Sequence, residues 1–159
     1  HKLEDFRMKT PAALLIAALL LPLLAGCEKA RLDQQVKELC AKDGGIKVYE
    51  AVKLSPDKFD QWGMVKPFDP AQGENTLGPD YIFKREIHYY RQGNPEMSRE
   101  HYKVIRRSDS KLLGETILYG RGGGDMPGPW HDSSFSCPKP LEAGPNMLLK
   151  SIFFPSNKE

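Results

Sequence analysis

Three strand-like segments in quick succession constrain this chain more than any other feature. Tyr81 to Arg91 sets Tyr81, Phe83, Ile87 and Tyr89 on one side and Lys84, Glu86 and His88 on the other. That period of two belongs to a half-buried strand. Gln92-Gly93-Asn94-Pro95-Glu96 makes a turn, and Arg99 to Arg107 returns with Tyr102 and Val104 inward. Ser108-Asp109-Ser110 is a tight polar turn into Lys111 to Tyr119, which carries Leu113, Ile117 and Tyr119. Turns this short join antiparallel neighbours, because parallel ones need a crossover of about a dozen residues or more. An antiparallel meander follows.

Ahead of the meander, Leu32, Val36, Leu39 and Cys40 recur at spacings of three and four, with Arg31, Asp33, Gln34, Lys37 and Glu38 between them. This is the stripe of an amphipathic helix, predicted over Ala30 to Lys42 and ended by Asp43-Gly44-Gly45. From Ile46 to Leu54 the period changes to two, interrupted at Glu50, and predicts a further strand. Residues 56–80 are rich in Pro and Gly and read as irregular loop, with Phe59, Trp62 and Phe68 as anchors. Met147 to Phe154 is a last strand candidate. The expected fold is α+β: an N-terminal helix packed on one face of a four- to five-stranded antiparallel meander sheet, with long Gly/Pro-rich loops.

The front end has a different character. Ala12 to Leu24 is apolar apart from Pro22. It is shorter than the roughly 20 residues of a spanning helix and matches a signal-peptide apolar region of about 7–15 residues. Met8-Lys9 supplies a basic start, and Leu24-Ala25-Gly26-Cys27 closes the segment. This arrangement resembles the lipobox of bacterial lipoproteins. The rest of the chain resembles small proteobacterial envelope lipoproteins without a catalytic motif. The resemblance implies lipidation of the Cys27 thiol and cleavage before it. Residues 1–26 are then an upstream extension (His1 to Arg7) plus a signal peptide, and residues 27–159 one globular α+β domain. It also implies a lipid bilayer as partner through acylated Cys27. Glu28 in place of aspartate leans toward the outer membrane, facing the periplasm. Each buried methylene contributes about 0.8 kcal/mol, so several acyl chains make a stable anchor where one is marginal.

The chain has three cysteines. Lipidation of Cys27 leaves Cys40 and Cys137, which an oxidising envelope compartment would join as a disulfide. There is no C-x-x-C motif, and no histidine sits at ligand spacing from either cysteine. The balance of 23 basic against 21 acidic residues offers no electrostatic case for nucleic acid.

Three constellations deserve weighing for chemistry. Gly120-Arg121-Gly122-Gly123-Gly124-Asp125 resembles a phosphate cradle only in its glycines, since no Gly-Lys-Ser/Thr follows and no helix opens after it. It reads as a wide loop pinned by Cys137, and as a candidate binding loop displaying Arg121, Asp125, Trp130 and His131. If pairs summing to 189 face each other across the 92–96 turn, His88 opposes His101, Glu86 opposes Lys103 and Tyr90 opposes Arg99. No third ligand joins the histidines, so no metal is assigned. Ser133, Ser134 and Ser136 lie near His131 and Asp132, but triad members converge from separate elements, and G-x-S-x-G is absent. No catalytic residue and no cofactor is assigned.

The function expected is that of a membrane-anchored envelope lipoprotein, a non-enzymatic scaffold or binding module. It would present one sheet face or the 120–137 loop to an envelope protein or cell-wall partner. The alternatives are a small-ligand binder with a helix–sheet pocket, and a cell-wall hydrolase or inhibitor built on His131, Asp125 and another acid.

Overall fold

Helix α1 (Thr10–Asp43) runs past both predicted ends of the amphipathic stretch. The computed structural model describes residues 10–157, with side chains from residue 26. The proposed upstream extension and Met8-Lys9 lie outside the described residues, as do the side chains of Leu24 and Ala25. Among the described residues, no helix is long and apolar enough to cross a membrane.

Beyond α1 come β1 (Gly45–Val48), β2 (Val52–Leu54), β3 (Tyr81–Arg91), β4 (Glu96–Arg106) and β5 (Lys111–Gly122). They are followed by β6 (Ser134–Cys137), α2 (Pro140–Ala143), α3 (Pro145–Ile152) and β7 (Phe153–Pro155). The main sheet has five strands in the order β1-β5-β4-β3, with β6 also on β5. Its pairings are all antiparallel. One edge of β5 is shared, β1 covering Gly114 to Ile117 and β6 covering Tyr119 to Gly122. The fold is α+β, and β3-β4-β5 is the expected meander.

Three expectations need correction. The stretch from Ile46 to Leu54 is two strands: Tyr49 and Glu50 both donate backbone N–H groups to Leu113 O, at 2.8 and 3.0 Å. The chain then turns away, and β2 pairs in parallel with β7 instead. Met147 to Phe154 is mostly helix. Leu148, Leu149 and Ile152 are buried, a helical spacing, and Pro145 occupies the first turn, where its missing N–H costs nothing. Trp62 is no anchor, being 72% exposed, whereas Val65 and Leu77 from the same loop are buried.

The β3–β4 register is also displaced. Pairs sum to 187, so Glu86 faces His101, Lys84 faces Lys103 and His88 faces Arg99, with an irregularity between Tyr89 and Arg91. A displacement of two residues changes partners but preserves faces. Tyr102 and Val104 are accordingly buried as expected.

The sheet is covered on both faces. Leu32 and Val36 of α1 pack on Met97, Ile117 and Tyr119. Leu148, Leu149 and Ile152 of α3 pack on Tyr102, Val104, Leu113 and Leu118. Alternation puts Met97, Ile117 and Tyr119 on one side and Tyr102, Val104 and Leu118 on the other, and the register irregularity between Val104 and Ile105 takes Leu113 out of that parity. Gly114 permits the close approach of α3, since a Cβ there would stand 2.8 Å from Ile152 Cδ1. Thr116, also buried, donates its hydroxyl to Ala143 O at 2.6 Å. Among the described residues, both buried clusters are built from residues 32–153.

Cys40 and Cys137 are joined in a disulfide with Cα atoms 5.7 Å apart, tying the end of α1 to β6. Cys27 is exposed and unpaired.

Candidate functional site

The first turns of α1 with described side chains are fastened to the sheet by charged groups. Glu28 pairs with Arg91 at the end of β3. Lys29 pairs with Asp125 in the loop after β5. One turn on, Asp33 Oδ1 accepts from Arg121 Nε at 2.7 Å. The same guanidinium donates through Nη1 to Gly123 O at 2.7 Å, Ser133 O at 2.9 Å and Ser133 Oγ at 3.0 Å. Arg121 is only 3% exposed. A buried guanidinium needs this many acceptors, because an unpaired charge out of water is costly.

Asp125 is held from two sides. Its carboxylate takes the Lys29 ammonium and accepts from the Ser133 backbone N–H and, at 3.0 Å, from the Ser133 hydroxyl. The Lys29 contact, followed by the two Ser133 hydrogen bonds, lowers its pKa to about 2. The loop also meets the β3–β4 turn: Gly124 N donates to Asn94 Oδ1 at 2.6 Å. Gly123 has φ of +74°, and a Cβ on it would fall 2.1 Å from Asn94 Oδ1. Glycine is required there by conformation and by space together. The Glu28–Asp33 stretch of α1, the loop and the turn therefore form one joint, beginning one residue beyond Cys27.

The four loop residues singled out in the sequence divide into two pairs. Arg121 and Asp125 point inward and act as fasteners, which corrects the expectation that the loop displays them. Trp130 and His131 are exposed. Asp33, Lys29, Asn94 and Ser133 complete the joint, and nothing local in their sequence marks them, because each partner lies far along the chain.

The histidines do not oppose each other. His101 is buried, with Nε2 at 2.5 Å from Glu115 Oε2 and Nδ1 at 3.9 Å from Glu86 Oε2. His88 stands edge-on to Tyr90, ring centroids 4.8 Å apart. Burial raises the Glu115 pKa, but hydrogen bonds from Tyr49 and His101 more than reverse this and leave it lowered. Glu86 bonds Lys103 at 2.9 Å and lies 3.2 Å from Lys84, so the cluster is a cross-strand charge network. Among the described residues, no three His, Cys, Asp or Glu side chains are grouped to hold a metal ion.

Between the sheet and the α2–α3 segment, Ser98, Glu100, Tyr102, Leu118, Pro140 and Pro145 line a cavity of about 130 Å³. Pockets that enclose a drug-sized ligand measure about 300–1,000 Å³. A wider open cleft of about 340 Å³ lies beside Phe68, Phe83 and Arg85, but Arg85 is already engaged by Glu100 at 2.9 Å. The chain matches no family model, no curated protein and no solved structure.

Proposed function

We propose that this protein is a lipid-anchored envelope lipoprotein, acylated at Cys27, that serves as a non-enzymatic scaffold or binding module. One observation carries the reading. Cys27, the last residue of the lipobox-like run, is exposed and outside any disulfide, while Cys40 and Cys137 are paired with each other. It also stands one residue ahead of Glu28, the first described side chain tied to the sheet. An anchor at this point leaves almost no tether, so the domain would rest against the bilayer. The outer membrane, with the domain in the periplasm, is the location that Glu28 favours under the lipoprotein resemblance. The sheet faces and the loop after β5 are the surfaces offered to an envelope protein or cell-wall partner.

Mass spectrometry of the protein recovered from cell envelopes tests this directly. The expected mature form begins at Cys27 and carries a diacylglycerol thioether and an N-acyl chain, and Cys27→Ser yields an uncleaved or soluble form. A bare thiol at Cys27, or unchanged cleavage and membrane fractionation of Cys27→Ser, overturns the reading.

A further inference from the structure

The loop between β5 and β6 has a tip, Met126 to Trp130, whose five residues are all exposed. Met126 is 57% and Trp130 56% exposed. None of its five residues carries a charge, and Pro127 and Pro129 have no backbone N–H to satisfy. The indole Nε1 donates to Met126 O at 2.9 Å. Its ring covers Gly128, where a Cβ would fall 2.2 Å from the ring carbons. Water would satisfy an exposed indole N–H at no cost, yet here the loop satisfies it internally. With the two proline N–H groups missing and the indole N–H bonded within the loop, fewer unpaired donors are left to be taken out of water, where each one is costly. Tryptophan is also the side chain that settles at the head-group level of membranes.

The position of the tip matters as much as its chemistry. Asp125, next to Met126, pairs with Lys29, two residues from Cys27. Gly124 is bonded to Asn94, and Arg91 of the same turn pairs with Glu28. Tip and anchor residue thus belong to one end of the molecule. The two pairs neutralise Glu28, Arg91, Lys29 and Asp125, so these four charges need not be desolvated singly against a lipid surface.

We infer that the Met126–Trp130 tip enters the head-group layer of the bilayer that holds Cys27, a second and non-covalent contact that sets the domain's orientation. The presence of that bilayer rests on the lipoprotein reading above. Trp62→Phe leaves Trp130 as the sole tryptophan of the chain's two. Residues 27–159 of this variant, which contain both buried clusters described above, can be coupled through the Cys27 thiol to maleimide lipid. The vesicles are of phosphatidylethanolamine and phosphatidylglycerol, and the Cys40–Cys137 disulfide leaves Cys27 as the reactive thiol.

On coupling, Trp130 emission should shift to the blue. Brominated acyl chains should quench it, and aqueous iodide should lose access. Emission and iodide quenching unchanged from the uncoupled protein, with no effect of brominated lipid, would overturn the inference and leave the tip to water or a protein partner. The tether is chemical, so that outcome does not bear on lipidation in cells. A bare Cys27 on the cellular protein sinks the lipoprotein reading and leaves the affinity of the tip for lipid as measured.

Discussion

Arg121 on β5 reaches Asp33 on α1, with Nε 2.7 Å from Oδ1, across 88 residues of chain. Through its remaining N–H groups it also holds both limbs of the loop that returns to β6. One guanidinium therefore holds α1 at Asp33 and sets the shape of the loop beside it. This is a task for arginine, whose planar fork satisfies several acceptors in fixed directions.

Arg121→Ala should lower unfolding free energy by about 2–3 kcal/mol, because it strands the Gly123 and Ser133 carbonyls and removes the partner of Asp33. Arg121→Lys should recover only part of the loss, lacking the fork. Urea denaturation measures both. A loss for Arg121→Ala within about 0.5 kcal/mol, the range of ordinary surface substitutions, would show that the joint contributes little.

The Cys40–Cys137 bridge spans 97 residues. Loop-closure entropy sets its contribution at about 4–5 kcal/mol, and measured bridges usually deliver about 2–4. Thermal unfolding with and without reductant should show a clear drop in Tm, and Cys40→Ser/Cys137→Ser should melt like the reduced protein. A curve indifferent to reductant would exclude a stabilising role.

Asp125 sets a pH dependence for the loop. Its folded pKa, about 2, lies below the ordinary aspartate value, so the unfolded or released loop binds the proton more readily. The contribution is fully present above about pH 4 and is lost as pH falls toward 2. In the Trp62→Phe background, amide exchange over residues 123–133 should rise through that window. Asp125→Asn should show faster exchange already at neutral pH and a smaller acid step. Equal protection at pH 5 and pH 2 in the unmodified loop would contradict this.

The β3–β4 pair shows how local rules reach a limit. The alternation of Tyr81, Phe83, Tyr102 and Val104 set the faces correctly, because face depends only on parity. The partners of His101 depended on the turn, where Arg91 already pairs with Met97, and on the irregularity between Tyr89 and Arg91, each displacing the register by one residue. The α1 stripe was legible for the same reason, since Leu32 and Val36 recur at a local period. The Leu148, Leu149 and Ile152 stripe was equally local but fell in a run short enough to pass for a strand.

The sequence by itself determined the α+β class, the meander, the amphipathic stretch of α1 and the pairing expected of Cys40 with Cys137 once Cys27 is set apart. Each depends on short-range periodicity or on counting. Only the tertiary structure decided that the sheet is covered on both faces, that Arg121 and Asp125 turn inward, and that the Trp130 loop meets α1 next to Cys27. Those outcomes depend on contacts such as Lys29 with Asp125, 96 residues apart, and no local pattern records which distant charge will meet another once the chain has closed.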